Sequence, residues 1–219
     1  MKKLYKKAIL KLEADWPARY RDICEKVKAV TDWMNPADAP DALIERMIYD
    51  TNNGVSSVGM AFSTWPTPRP AVGKYREMLQ HLKDGLVAKY PSDRVAECRK
   101  EFKKITKDKG SDSIFNRIVS AFQPGVVSPV MFEHDFDDAC AKLDKGGYIE
   151  KEEIKARIGD DPWHAKNVKL MNKLRELLPD GPCEDARWPI DDYTRGVFVW
   201  GVHADIDMGD WMILRGSAD

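Results

Sequence analysis

The sequence predicts a mainly α fold, a compact multi-helix domain with a few short strands and α+β as the variant. Three observations carry this. Apolar residues recur at three- and four-residue spacing along most of the 219 residues. Proline- and glycine-rich breaks punctuate those stripes. The β-branched stretches that could pair as strands are short and lie near 54–62, 126–131 and 208–215.

Leu4, Ala8, Ile9 and Leu12 form the first stripe. Pro17 suits the first turn of a second helix, continued by Tyr20, Ile23, Cys24, Val27 and Val30. Asn35 to Pro40 is a break, and a third helix follows from about Asp41 to Ile48. Behind it stands Tyr49-Asp50-Thr51-Asn52-Asn53-Gly54-Val55-Ser56-Ser57-Val58-Gly59-Met60. Asn-Gly is a strong turn signal because both residues accept positive φ. Prolines at 66, 68 and 70 make 63–73 irregular. Helices near 73–90 and 92–107 flank Tyr90-Pro91-Ser92-Asp93, where Ser92 or Asp93 is the candidate cap. Ser111-Asp112 opens the run Ile114, Phe115, Ile118, Val119, Phe122, which Pro124-Gly125 ends. Val126 to Met131 contains Pro129, so it reads as an edge strand at best. Helices are expected near 132–143, 150–158 and 162–178, and Pro179 to Pro182 is a stop. Asp191-Asp192 caps a last helix over Tyr193 to His203, although Val197 to Trp200 would also serve as a strand. The chain reads as one module, 1–219, in which a break at 124–131 would divide lobes 1–124 and 125–219 unless their helices share a core.

Composition describes an ordinary globular protein, with 43% hydrophobic and 32% charged residues. No apolar run approaches a membrane span, the basic N-terminus lacks the apolar core of a secretory signal, and a cytoplasmic location is expected. Cys24, Cys98, Cys140 and Cys183 lie far apart, the pattern of buried free thiols rather than a zinc or disulfide framework. The net charge of −1 gives no global field. Locally, residues 99–109 carry six basic and two acidic side chains, whereas 132–162 carry ten acidic and five basic ones. The N-terminal half therefore holds the only candidate polyanion face, either a plain solvated helix face or a contact strip in which Lys103, Lys104 and Lys107 take phosphates.

Motifs for nucleotide binding (GxxxxGK[ST], GxGxxG), serine hydrolysis (GxSxG) and zinc proteolysis (HExxH) are absent, so no cofactor and no catalytic residue is assigned. Residues 142–153 resemble the back half of a calcium loop, but Lys142 and Gly146 stand at ligand positions, which leaves a helix–turn corner. Glu101-Phe102-Lys103 and Glu153-Ile154-Lys155 match the ExK of metal nucleases in helical pattern. His81, His134, His164 and His203 have no ligand spacing and read as surface or helix-end residues. Most tryptophans adjoin apolar runs and read as core, whereas Trp65 in the proline-rich loop reads as partly exposed.

Three segments together resemble the region ahead of the AAA+ motor in McrB-type restriction GTPases. They are Leu43 to Gly59 with its Asn-Gly-Val-Ser-Ser-x-Gly core, Phe115-Asn116-Arg117-Ile118 to Pro124 followed by Val126 to Phe132, and Trp163 to Leu178 followed by Asp191 to Trp200. The resemblance spans roughly 40–200. No motor motif is present here, and Met60-Ala61-Phe62 stands where the family keeps polar residues. The resemblance implies a non-catalytic DNA-recognition or specificity module of a restriction or phage-defence system, with double-stranded DNA, modified or unmodified, as ligand and an AAA+ motor or nuclease subunit as partner. Asn52, Asn53, Ser56 and Ser57 would approach bases or backbone with Trp65 beside them, while Lys103, Lys104 and Lys107 take phosphates. The alternative expectation is a protein-interaction or assembly module without DNA contact, in which the Asn-Gly loop is structural. A third is a Mg²⁺-dependent nuclease, which needs Glu101 or Glu153 beside another carboxylate.

Overall fold

The computed structural model describes residues 1–57, 68–86, 91–158 and 160–205. Nine α-helices lie among them: α1 Lys2–Leu10, α2 Trp16–Ala29, α3 Asp41–Tyr49, α4 Arg76–Gly85, α5 Pro91–Ile105, α6 Asp112–Phe122, α7 Glu133–Lys145, α8 Pro162–Leu177 and α9 Asp192–Asp205. The fold is mainly α. Among the described residues extended chain pairs only as isolated bridges, Asn52 with Ser57, Pro124 with Val127 and Gly181 with Ile190.

Local chemistry starts the helices where the sequence expects. Ser111 caps α6 by accepting from the Ser113 amide at 3.3 Å. Asp161 caps α8 through the His164 amide at 2.9 Å. At α9, Asp191 accepts from the Thr194 amide and the Thr194 hydroxyl accepts from the Asp191 amide, both at 2.8 Å, a reciprocal cap. That cap, and burial of Val197, Phe198, Val199 and Val202, fix the β-branched run as helix.

Several expectations fail. The helix near 150–158 is only a 3-10 turn, Lys151–Ile154. A continuous helix would put Ile154 and Ile158 on one face, yet Ile154 is buried and Ile158 fully exposed. No strand forms over 126–131, because side chains satisfy its backbone instead. Asn167 Oδ1 accepts from the Ser128 amide at 2.9 Å, Trp163 donates to the Val130 carbonyl at 3.0 Å, and Asn116 donates to the Met131 carbonyl at 2.7 Å. The strand expected near 54–62 is a bridge at Ser57, and its remainder, like 208–215 and Trp65, lies outside the described residues. Ser92 and Asp93 fall inside the first turn of α5 rather than capping it.

One apolar core runs from Leu4 to Val202, and helices from both sides of the 124–131 break contribute to it. α9 packs against α1, α2, α7 and α8, while α6 packs against α2, α3 and α5. Gly201 makes the α1–α9 approach close: a Cβ there would sit 2.8 Å from the Ala8 carbonyl oxygen. All four cysteines are free and buried. No helix among the described residues is long and apolar enough to cross a membrane.

Candidate functional site

The Asn-Gly loop begins at the C-terminal end of α3, where helix carbonyls lose their intrahelical partners. Asn53 turns inward to meet them. Its Nδ2 donates to the Met47 carbonyl at 3.2 Å, and its Oδ1 accepts from the Val55 amide at 2.9 Å. Arg117, fully buried on α6, donates to the Ile48 carbonyl at 2.9 Å and the Asp50 carbonyl at 2.6 Å. Burial pushes the pKa of this guanidinium down to about 9, against a smaller opposing pull from the Asp50 carboxylate. Gly54 takes φ +97, and a Cβ there would stand 2.7 Å from the Arg19 carbonyl oxygen. Trp16 closes the loop from α2, its indole N–H shared between the Gly54 and Val55 carbonyls at 3.1 Å each.

The fixed loop borders a cavity of about 320 Å³. Asn52, Ser56 and Ser57 line it, with Trp16 and Arg19 from α2, Met131 and Phe132 from the 126–132 segment, and Trp200 from α9. Trp16 and Trp200 meet edge to face, centroids 6.4 Å apart at 82°. Arg19 is answered by Glu13 and, at 3.3 Å, by Asp15. The Ser56 Oγ is buried and has no hydrogen-bond partner among the described residues.

Structure and expectation part company within the loop. Asn52 and Ser57 are exposed and Ser56 is half-buried, so these three sit together on the cavity. Asn53 is buried and spent on the backbone. Trp65 lies outside the described residues.

The basic run is also divided. Lys103 donates to the Gly110 carbonyl at 3.0 Å and pairs with Asp112 at 3.1 Å. Arg99 lies over the Phe115 ring, binds Asp161 at 2.5 Å and donates to Asn116 Oδ1 at 2.7 Å. Lys104 and Lys107 are exposed, as is Lys100, which the sequence reading passed over. These three have no ion-pair partner among the described residues. Lys100 and Lys104 stand one turn apart on α5, and Lys107 follows in a left-handed turn at φ 53. Lys103 and Arg99 line a second cavity of about 650 Å³, and Met131 and Phe132 line that one too. The same two side chains thus line both the Asn-Gly cavity and a second one of mixed charge, where Asp108, Asp112, Glu133 and Asp161 stand beside Arg99, Lys103 and Lys109.

The remaining constellations are structural in geometry. His164 is fully buried, its Nδ1 2.8 Å from Ser92 Oγ and its Nε2 2.7 Å from Gln123 Oε1. Ser92 donates to one ring nitrogen while the other donates to the amide oxygen. This is the order of a nucleophile–base relay, but burial pushes the imidazole down to about 4, far from a useful general base. His203 binds Asp138 at 2.9 Å, and His81 binds Glu101 at 3.1 Å. Glu153 faces Lys173 at 4.0 Å. No cluster of three or more His, Cys, Asp or Glu side chains among the described residues is arranged to hold a metal ion. At 142–153, Gly147 takes φ 65 and Asp144 Oδ1 accepts from the Lys151 amide at 3.2 Å, a helix–turn corner.

Local sequence marks the loop through Asn-Gly, but not the cavity wall. Trp16, Met131 and Trp200 come from three distant segments, and each taken alone reads as ordinary packing. No family model matches the sequence, and no curated protein or solved structure matches it either.

Proposed function

We propose that the chain is a non-catalytic DNA-recognition module of a restriction or phage-defence system. The supporting observation is that the chain carries both a loop held from three sides, which presents Asn52, Ser56 and Ser57, and a group of exposed lysines on α5 and just beyond its end. Lys100, Lys104 and Lys107 supply the phosphate contacts, while Lys103 positions the turn before α6. Amide and hydroxyl groups at the loop are suited to base edges or sugar–phosphate, and phosphate contacts set the register in which they act. Gel shifts of the full chain with a short duplex, methylated and unmethylated, test this at low salt. Binding that weakens steeply with salt is expected. No shift with either duplex at low salt overturns the reading.

A second reading, a protein-assembly module, is favoured by the pairs Arg99–Asp161 and Lys103–Asp112 inside the basic run and by the acidic stretch that follows it. A mixed-sign surface suits a protein partner such as an AAA+ motor or nuclease subunit. Co-elution with such a subunit, together with failure to shift duplex, would select it.

A further inference from the structure

We infer that the cavity between the Asn-Gly loop and Trp200 is a binding site for a small, uncharged, fused-ring aromatic molecule carrying one hydrogen-bonding group. Its volume, about 320 Å³, falls in the range of cavities that enclose small ligands. Its walls are fixed before any ligand arrives. Trp16 is pinned by the Gly54 and Val55 carbonyls, and Met131 is pinned through its own carbonyl by Asn116. The edge-to-face corner of Trp16 and Trp200 offers two aromatic surfaces at 82°, with a thioether nearby. A planar ring gains offset-stacked and sulfur–aromatic contacts there.

Charge sets the rest of the ligand. Arg19 is already met by Glu13 and Asp15, and Lys11, the other cation on the cavity wall, also has a partner, so the cavity asks for no counter-ion. Ser56 Oγ is the one hydroxyl among the buried side-chain polar atoms that lack a partner among the described residues. A buried, unpartnered hydroxyl on a cavity wall is a handle for one donor or acceptor group, and turning about χ1 brings it to the ligand. The inference stands apart from DNA binding: a chain that fails to shift duplex can still take the ring, and the reverse.

The test uses the full chain at pH 7 with 1-naphthol and 1-methylnaphthalene as probes, in ligand-observed saturation-transfer NMR titrations. The expected result is that 1-naphthol binds with a submillimolar Kd, about five-fold tighter than 1-methylnaphthalene, the factor for one net hydrogen bond. Ser56→Ala should bring the two affinities together with an unchanged melting temperature. Ser57→Trp, a substitution at the exposed rim, should abolish both by filling the cavity. Binding of neither probe overturns the inference. So do equal affinities in the unsubstituted chain, a preference that survives Ser56→Ala, or titrations that Ser57→Trp leaves unaltered.

Discussion

Asn53 shows how one amide can build a loop. It satisfies an α3 carbonyl with its Nδ2 and two loop amides with its Oδ1, at 2.9 and 3.4 Å. Asn53→Ala leaves these groups buried without partners and is expected to cost about 2 kcal/mol, read from urea unfolding midpoints. His164 makes a prediction in pH. Its folded value is about 4 against an ordinary 6.5. Below pH 6.5 the unfolded chain takes up a proton that the folded chain refuses, so stability falls as pH drops from 6.5 toward 4. The loss is about 2 kcal/mol between pH 7 and pH 5. His164→Gln should flatten that slope in unfolding titrations while lowering stability at pH 7.

At the scale of elements, the helices were legible wherever a cap met a stripe. Ser111 and Asp191 each announce a helix start and are used that way, while Asp161 caps α8 without having been singled out in the sequence. The failure over 126–131 has a physical cause: apolar residues suggested a regular element, but the decisive partners were distant. Asn116, Trp163 and Asn167 satisfy the backbone of 126–131 from two other helices, so extended chain persists without a sheet. Nothing in the local pattern carries that information. The α1–α9 contact gives a sharper test of packing. Gly201→Ala drives a Cβ into the Ala8 carbonyl, and the helices must part or bend. A loss of about 2 kcal/mol is expected from overpacking, and a thermal unfolding curve measures it.

Across the whole molecule, the candidate site divides into a legible and an illegible half. The Asn-Gly turn and the basic run are continuous in sequence and could be found there. The Trp16–Trp200 corner unites α2 with α9, and the partners that withdraw Lys103 and Arg99 lie on α6 and at the start of α8. Counting charges along 99–109 therefore overstates the free cations. Under the proposed DNA-recognition reading three lysines take phosphates, so the salt dependence of duplex binding should have a logarithmic slope of about −2.7. Replacing Lys100, Lys104 and Lys107 with Gln should bring the slope close to zero, whereas Lys103→Gln should lower stability more than it changes the slope. Fluorescence anisotropy across a salt series separates the two.

The packing of α1 on α9 also bears on how the chain comes to be folded. Leu4, Tyr5, Ala8 and Ile9 are buried, and the Tyr5 hydroxyl donates to the Pro189 carbonyl at 3.0 Å. A ribosome releases these residues well before Pro189 and α9, which cover them. During synthesis the first helix has an apolar stripe with no lasting partner until the ninth emerges, which is a long loop to close. Over that interval α1 is open to misassociation, and the five lysines without an acid over residues 1–11 keep it hydrated.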